Sequence, residues 1–196
     1  MHIAIGLKSH SGWAALVALG ADRAGACVLD RRRIALIEDD ASEWAGQPYH
    51  AADGLPPAQA ETIVAAGIAE AQRTALRELR AAQARLESEG HRVIACAVIA
   101  PAPLPRWGTA DVLAVHVRMH QAEGALYPDA LLRGAQELGI APLRVAAKTL
   151  RAQAERTFGV SPIELDRRLA ALGKPLGAPW GADQKSAALA ALLALD

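Results

Sequence analysis

Apolar runs and short polar turns alternate along the first 37 residues of the chain. Runs this short, separated by turn residues, are typical of strands joined in an antiparallel meander. The pattern predicts strands over residues 2–7 and 13–19, and strand character that continues through the runs at 26–29 and 34–37. Between the last two runs stand Arg31, Arg32 and Arg33. We interpret these arginines as a solvated turn or a charged edge strand, since charge protects a sheet edge. A phosphate-binding patch is the alternative interpretation.

A helical pattern dominates residues 58–89, which are rich in Ala, Glu, Gln, Arg and Leu. Apolar residues recur there at a spacing of roughly 3.6, and the stripe consists of Ile63, Gly67, Leu76, Leu79 and Leu86. Residues 39–57 precede this helix and contain several prolines, so we expect an irregular connection. Residues 92–100 are nearly all apolar, which is typical of a central strand covered on both faces.

The second half of the chain is predicted to be mainly helical, with one short strand between the helices. Thr109 is a suitable N-cap for a helix that we expect to reach residue 138, with an interruption or kink at Gly124 and Pro128. A short strand is predicted over 143–146. Asp183 is expected to cap the last helix. The three helices that follow the short strand are predicted over residues 148–158, 162–172 and 183–195.

The order of these elements predicts an α/β fold in a single domain over residues 1–196. A three-strand antiparallel meander leads into parallel strands linked by helices, which together form a mixed sheet. Connections of the strand–helix–strand kind place helices on both faces of such a sheet.

Composition and charge exclude only a few classes of function. Lys plus Arg and Asp plus Glu number 21 each, so the whole chain offers no basic field for nucleic acid, although a local basic patch is compatible with this balance. Cys27 and Cys96 lie in apolar runs, and we expect buried free thiols in a reducing compartment. No signal segment opens the sequence, and no uncharged run reaches the roughly 18–20 residues that span a bilayer. We therefore expect a soluble cytoplasmic protein with no membrane partner.

A polar stripe on the helix after Thr109 is the most distinctive chemical feature. His116, His120 and Glu123 follow one another at i, i+4 and i+7, so they share one helix face. Two imidazoles at this spacing and a carboxylate one turn later could bind Zn²⁺ or another divalent metal. The alternative is a polar helix face that lines a groove, where the histidines and Arg118 would contact an anionic ligand.

Several short motifs resemble those of the RuvC-type Holliday-junction resolvases, which belong to the ribonuclease-H-like superfamily. The most suggestive is Gln121-Ala122-Glu123-Gly124, which is followed by Leu138-Gly139-Ile140 and the Val145-Ala146-Ala147-Lys148 segment. Gly181-Ala182-Asp183 before an Ala/Leu helix resembles the last acidic helix of the family. The opening Ile5-Gly6 and Gly12-Trp13-Ala14 resemble its first hairpin. The resemblance spans most of the chain and implies a ribonuclease-H-like fold.

The same resemblance implies a chemistry that this sequence does not support. These resolvases place one carboxylate in the first strand, one after the fourth strand and two on the last helix, where they hold two divalent metals. Here the first strand and the fourth strand carry no acid. On the last helix Asp183 remains, while Ser186 stands about where the second acid belongs. One acid of four does not make the two-metal site.

The resemblance places a ligand-binding cleft between the first hairpin, the histidine-bearing helix and the start of the last helix. Lys8 and His10 in the hairpin could bind phosphate directly, in place of the lost metal chemistry. Lys185 sits near the positive end of its helix, where a cation does not help stability, which suggests a paired or functional role. The cleft residues that we predict are Lys8, His10, His116, His120, Glu123, Asp183 and Lys185.

Three functions remain open from the sequence. The first is a RuvC-like protein without nuclease activity that binds nucleic acid or a nucleotide through the cleft. The second is a metal-dependent nuclease or phosphodiesterase with an altered site of His116, His120, Glu123 and Asp183. The third is a scaffold without catalysis that binds a partner or forms a homodimer, because a fold alone does not fix a function.

Overall fold

The computed structural model describes residues 1–22, 25–38 and 46–196. Five strands and seven helices occupy this part of the chain. The strands are β1 (His2–His10), β2 (Trp13–Asp22), β3 (Gly25–Ala35), β4 (Arg92–Ile99) and β5 (Ala141–Val145). The helices are α1 (Pro48–Ala52), α2 (Pro57–Ser88), α3 (Thr109–Leu113), α4 (His116–Glu137), α5 (Leu150–Phe158), α6 (Pro162–Gly173) and α7 (Ala182–Leu195).

The five strands form one mixed sheet in the order β3-β2-β1-β4-β5. The first three strands pair antiparallel, and β4 and β5 join β1 in parallel. The α/β prediction with a mixed sheet is therefore confirmed. Because β1, β4 and β5 run parallel, their carboxyl ends meet at one edge of the sheet.

The two faces of the sheet pack against different helices, as the period of two in a strand requires. Ile3, Ile5 and Leu7 share a core with residues of α2 and α4 such as Leu79 and Leu131. On the opposite face Ala4 and Val17 pack with the small residues of α7 and with parts of α5 and α6. The predicted layer of helices on each face is confirmed.

Helix α7 lies very close to the centre of β1. A Cβ added at Gly6 would overlap the carbonyl oxygen of Ala187 and come within 2.8 Å of the Ala191 nitrogen. Only glycine, which has no side chain, allows this approach of strand and helix backbones. The contact fixes the middle of α7 relative to the centre of β1.

The three-strand meander at the chain start is confirmed, and its third strand is continuous. β3 contains the run at 26–29, the first two residues of the run at 34–37 and the arginines between them, and it lies at the edge of the sheet. Each arginine is already engaged: Arg31 binds backbone carbonyls of residues 176–179, Arg32 pairs with Asp30, and Arg33 lies over the Trp13 ring. The charged-edge interpretation is thus the one that the structure supports.

The long helix predicted from Thr109 is in fact two helices. Val115 takes an extended conformation, with φ −139° and ψ 111°, and separates α3 from α4. Conversely, α4 runs without interruption through Gly124 and Pro128, where we expected a break or kink. A proline inside a helix crowds the carbonyl four residues earlier, and that residue is Gly124.

The connection at 39–57 is only partly irregular. Residues 39–45, including Trp44, lie outside the described residues. Pro48–Ala52 forms helix α1, which the proline-rich pattern did not predict. A Cβ at Gly67 of α2 would lie 2.6 Å from Pro48, so the absence of a side chain there lets α1 pack against α2.

Several details of burial also differ from the expectation. In α2, Ile63 and Leu76 are only half-buried, and the stripe that faces the core is instead made of Ala60, Val64, Gly67, Ala71, Ala75, Leu79, Ala82 and Leu86. Cys96 is buried, and burial raises the pKa of its thiol to about 12, whereas Cys27 is half-buried. Among the helices described, none is long and apolar enough to cross a bilayer.

Candidate functional site

A cleft of about 670 Å³ opens where the carboxyl ends of the parallel strands meet. In open sheets of parallel strands this edge is the usual place for a ligand. The end of β1, the end of β4 with the prolines after it, the segment after β5 and one face of α4 form its walls. Its polar lining residues are Lys8, Ser9, His120, Gln121 and Lys148.

The charge of this cleft is positive. Among the described residues that line it there are two lysines and no aspartate or glutamate. Lys8 is in register with Ile99 at the end of β4, and Lys148 lies just beyond β5. Neither lysine forms a salt bridge with any residue in the described ranges. Their ammonium groups are free to bind an anion.

His10 and Asp183 form a pair beside this cleft rather than in its lining. The His10 Nε2 lies 3.1 Å from the Asp183 Oδ2, and the two side chains are 38% and 31% exposed. The His10 ring also stacks on Trp13, with ring centroids 4.3 Å apart and an angle of 14° between the planes. Arg33 places its guanidinium 4.1 Å from the centroid of the Trp13 ring. Trp13 therefore packs between His10 and Arg33, and His10 joins the first hairpin to the start of α7.

Asp183 does not cap α7, contrary to the prediction. The N-cap residue is Gly181, and Gln184 accepts a hydrogen bond from the Gly181 N–H at 2.9 Å. The Asp183 carboxylate is thereby left to His10. Lys185 is exposed and two positions further along the helix, which directs it away from the Asp183 side. The structure thus does not bring Lys185 to the cleft.

The histidines of α4 do adjoin one another. The Nε2 atoms of His116 and His120 are 3.0 Å apart, and both residues are exposed. A third imidazole comes from α1, because the His50 ring centroid lies 4.9 Å from that of His120 and 6.4 Å from that of His116. The i, i+4 spacing predicted the contact between His116 and His120, whereas no pattern along the chain indicated that His50 would join them.

Glu123 has a different partner from the one we expected. Its Oε1 accepts hydrogen bonds from the backbone N–H groups of Tyr49 and His50, at 2.7 and 3.1 Å, and lies 3.4 Å from the His50 Nδ1. The carboxylate therefore accepts hydrogen bonds from backbone N–H groups in the first turn of α1, which have no partner within the helix. Burial raises the pKa of Glu123, while the bonds from His50 and Tyr49 act in the opposite direction. Its Oε2 is buried without a hydrogen-bond partner.

The predicted metal ligands are accordingly only partly assembled. His116 and His120 adjoin, whereas Glu123 points toward α1. With the side chains as they stand, no three His, Cys, Asp or Glu groups in the described ranges form a ready metal site. Of the seven predicted cleft residues, Lys8 and His120 line the cleft.

Lys148 is the cleft residue that the sequence reasoning missed. It follows β5, with Ala146 and Ala147 between, and the sequence analysis placed it only in a family-like segment and at the start of a predicted helix. A cation at the carboxyl end of a parallel strand is a usable signal, because such ends converge on the ligand edge of the sheet. His50 offered no comparable signal.

Comparisons with known proteins agree with this architecture. Neither a protein-family model nor a curated protein matches the sequence. Among solved structures, T. thermophilus RuvC in complex with a Holliday junction substrate matches with a TM-score of 0.50 and 15% identity, covering 97% of this chain and 90% of that chain. The chain has a RuvC-like fold. A second structure, Thermus thermophilus RuvC, has a TM-score of 0.49 and 12% identity and covers 97% of this chain and 91% of that chain.

Proposed function

We propose that this protein binds a nucleic-acid backbone through the cleft at the carboxyl edge of the sheet and does not cleave it by two-metal chemistry. The observation that carries the proposal is the cleft lining, which contains Lys8 and Lys148 and, among the described residues, no carboxylate. An ammonium group binds phosphate as a point charge, and both ammonium groups are free of acidic partners.

The two metal ions that the fold family implies do not fit the residues present. Mg²⁺ is held by hard oxygen ligands, mainly carboxylates. Ile99 and Ala100 stand at the end of β4, and Lys8 stands at the end of β1, so both strand ends lack an acid. Asp183 is paired with His10 and Glu123 with α1. We therefore derive no metal-dependent step at this edge of the sheet.

Nucleic acid suits the cleft better than a free nucleotide. No glycine-rich phosphate loop occurs in the sequence. The cleft is open, and its two lysines lie on either side of β4, Lys8 on β1 and Lys148 just beyond β5, which suits a chain with successive phosphates. The structural neighbour solved in complex with a Holliday junction substrate also supports nucleic acid as the ligand. We further propose that residues 1–196 act as one unit, because α7 returns to pack on β1.

The experiment is a fluorescence-anisotropy titration with a four-way DNA junction, a duplex and a single strand, each over a range of salt concentrations. Wild type should bind with a Kd that weakens as salt rises, because phosphate contacts release counterions. Lys8→Ala and Lys148→Ala should each weaken binding and lower the slope of log K against log salt by about one. Lys174→Ala is the matched control, since Lys174 is an exposed lysine outside the cleft.

Two results would contradict the proposal. Binding that is insensitive to salt and equal in the Lys8→Ala, Lys148→Ala and Lys174→Ala variants would leave the scaffold or homodimer function, which is checked by the molar mass in solution. Cleavage of the junction that requires Mg²⁺ and is lost in Asp183→Asn and His120→Ala would instead support the nuclease with an altered site.

A further inference from the structure

Three imidazoles from two helices lie together, and one of them, that of His120, lines the cleft. We propose that His50, His116 and His120 bind one tetragonal transition-metal ion, of the Cu²⁺ or Ni²⁺ class, with Glu123 as the residue that positions His50. This inference is independent of the nucleic-acid proposal. It replaces the carboxylate ligand suggested by sequence spacing with a histidine from α1.

The two histidines of α4 lie within hydrogen-bond distance of each other. Their Nε2 atoms are 3.0 Å apart, so a metal would replace the hydrogen bond that joins them. If the two nitrogens kept this separation, a metal about 2.0–2.1 Å from each would make an N–metal–N angle of about 95°, whereas a tetrahedral site would need a wider separation. An angle near 90° is that of adjacent ligands in a square-planar or tetragonal site.

The position of His50 completes the same geometry. The three ring centroids are separated by 4.5, 4.9 and 6.4 Å. The point equidistant from all three lies about 3.2 Å from each, which equals a metal–nitrogen distance of about 2.0–2.1 Å plus a ring radius of about 1.1 Å. Seen from that point, His50 and His116 stand nearly opposite each other, with His120 between them. Three corners of a square are therefore occupied.

Glu123 lies beside the His50 ring and orients it. Its Oε1 lies 3.4 Å from the His50 Nδ1, which leaves Nε2 as the ring nitrogen for a ligand. Metal-binding histidines commonly bond their other nitrogen to a carboxylate, which orients the ring and raises its basicity. The backbone bonds from Tyr49 and His50 fix the carboxylate in turn.

Small ring rotations separate the present arrangement from a ligated one. The ring torsion of histidine is broad, so turning a ring about its Cβ–Cγ bond costs little and leaves the centroid near its place. His116 and His120 are exposed and His50 is 29% exposed, so an ion can enter from solvent. Ligation therefore requires the side chains to turn from the positions that they have in this structure.

The test is a Cu²⁺ titration of the full chain followed by calorimetry and by electron paramagnetic resonance. It uses a His2→Ala background, which removes a competing ligand beside the terminal amine. One Cu²⁺ per chain should bind, with hyperfine structure from three nitrogens. His116→Ala and His120→Ala should each weaken binding by at least about 100-fold, and His50→Ala should leave a two-nitrogen signal. Glu123→Gln should weaken binding about 10-fold while keeping the three-nitrogen signal.

His91→Gln is the matched control, because His91 lies outside this cluster, and it should leave affinity and spectrum unchanged. The proposal is overturned if Cu²⁺ binds no more tightly than about 10 μM, a weak affinity on the scale of specific complexes. A three-nitrogen signal that survives His50→Ala would equally overturn it. Thermal unfolding of each variant without metal separates lost ligands from lost structure.

Discussion

Helices α7 and α4 cover opposite faces of the sheet near the end of β1. The two helices differ in how far their polar side chains are paired or exposed. At α7 the backbones of strand and helix are in close contact at Gly6, and Asp183 is bound by His10. At α4 the histidines are exposed, and His120 lines the cleft. We infer that α7 stabilises the fold, whereas α4 presents side chains that a ligand can contact.

The close contact at α7 can be broken by a single methyl group. Gly6→Ala puts a Cβ onto the carbonyl oxygen of Ala187, and because both contacting groups are backbone, only a movement of α7 relieves the overlap. We expect the free energy of unfolding to fall by about 3 kcal/mol, at the upper end of the usual cost of overpacking. Urea denaturation followed by circular dichroism measures this change.

A matched glycine on α4 should respond in the opposite direction. Nothing lies within 4 Å of a Cβ at Gly124, and α4 is helical there. Gly124→Ala should therefore raise stability by about 0.5–1 kcal/mol, the difference between the two residues inside a helix. If Gly6→Ala were tolerated as well as Gly124→Ala, the contrast between tight packing at α7 and open space at α4 would be wrong.

The same contrast explains how far the sequence alone could lead. The hydrophobic pattern identified the strands of the sheet and the long helix α2, because burial on one face imposes a period that the residues reveal. The pattern could not predict that Glu123 accepts hydrogen bonds from the backbone of α1, since Glu123 lies 73 and 74 positions from the two donor residues in the chain. It assigned Asp183 to a cap because aspartate is a common cap, whereas the pairing with His10 depends on tertiary structure.

The candidate site was predictable in part for the same reason. Local spacing on one helix predicted that His116 and His120 would meet. Lys8 lines the cleft, and its place near the end of the first hairpin is local to the chain. Lys148 lines the cleft because β5 packs beside β4, and its place after a strand was the one usable signal. His50 reaches His120 through the packing of α1, which no short-range pattern encodes.

The segment that leads into α7 offers a second way to loosen that side of the sheet. Arg31 on β3 donates hydrogen bonds to the carbonyls of Gly177 and Pro179, at 2.8 and 2.6 Å, and lies within 3.5 Å of two more. Arg31→Ala should lower stability by about 1–2 kcal/mol, because several carbonyls lose a charged donor. Hydrogen exchange should quicken over residues 176–184 and stay unchanged in α4.

Arg31→Lys is the informative companion to that variant. An ammonium group keeps the charge but lacks the planar fork of the guanidinium, so it should recover only part of the lost stability. Full recovery would mean that charge alone fastens the segment. Faster exchange in α4 would mean that the two sides of the sheet are not independent.

The pairing of His10 with Asp183 should contribute least of the three contacts. A double-mutant cycle with His10→Ala, Asp183→Ala and the double variant isolates the coupling between the two side chains. Both are about one-third exposed, so solvent screens the pair and we expect a coupling of at most about 1 kcal/mol. A coupling above about 2 kcal/mol would show that this pair, rather than the backbone contact at Gly6, fixes α7 relative to β1. In that case the two sides of the sheet would differ in their polar bonding as much as in their packing.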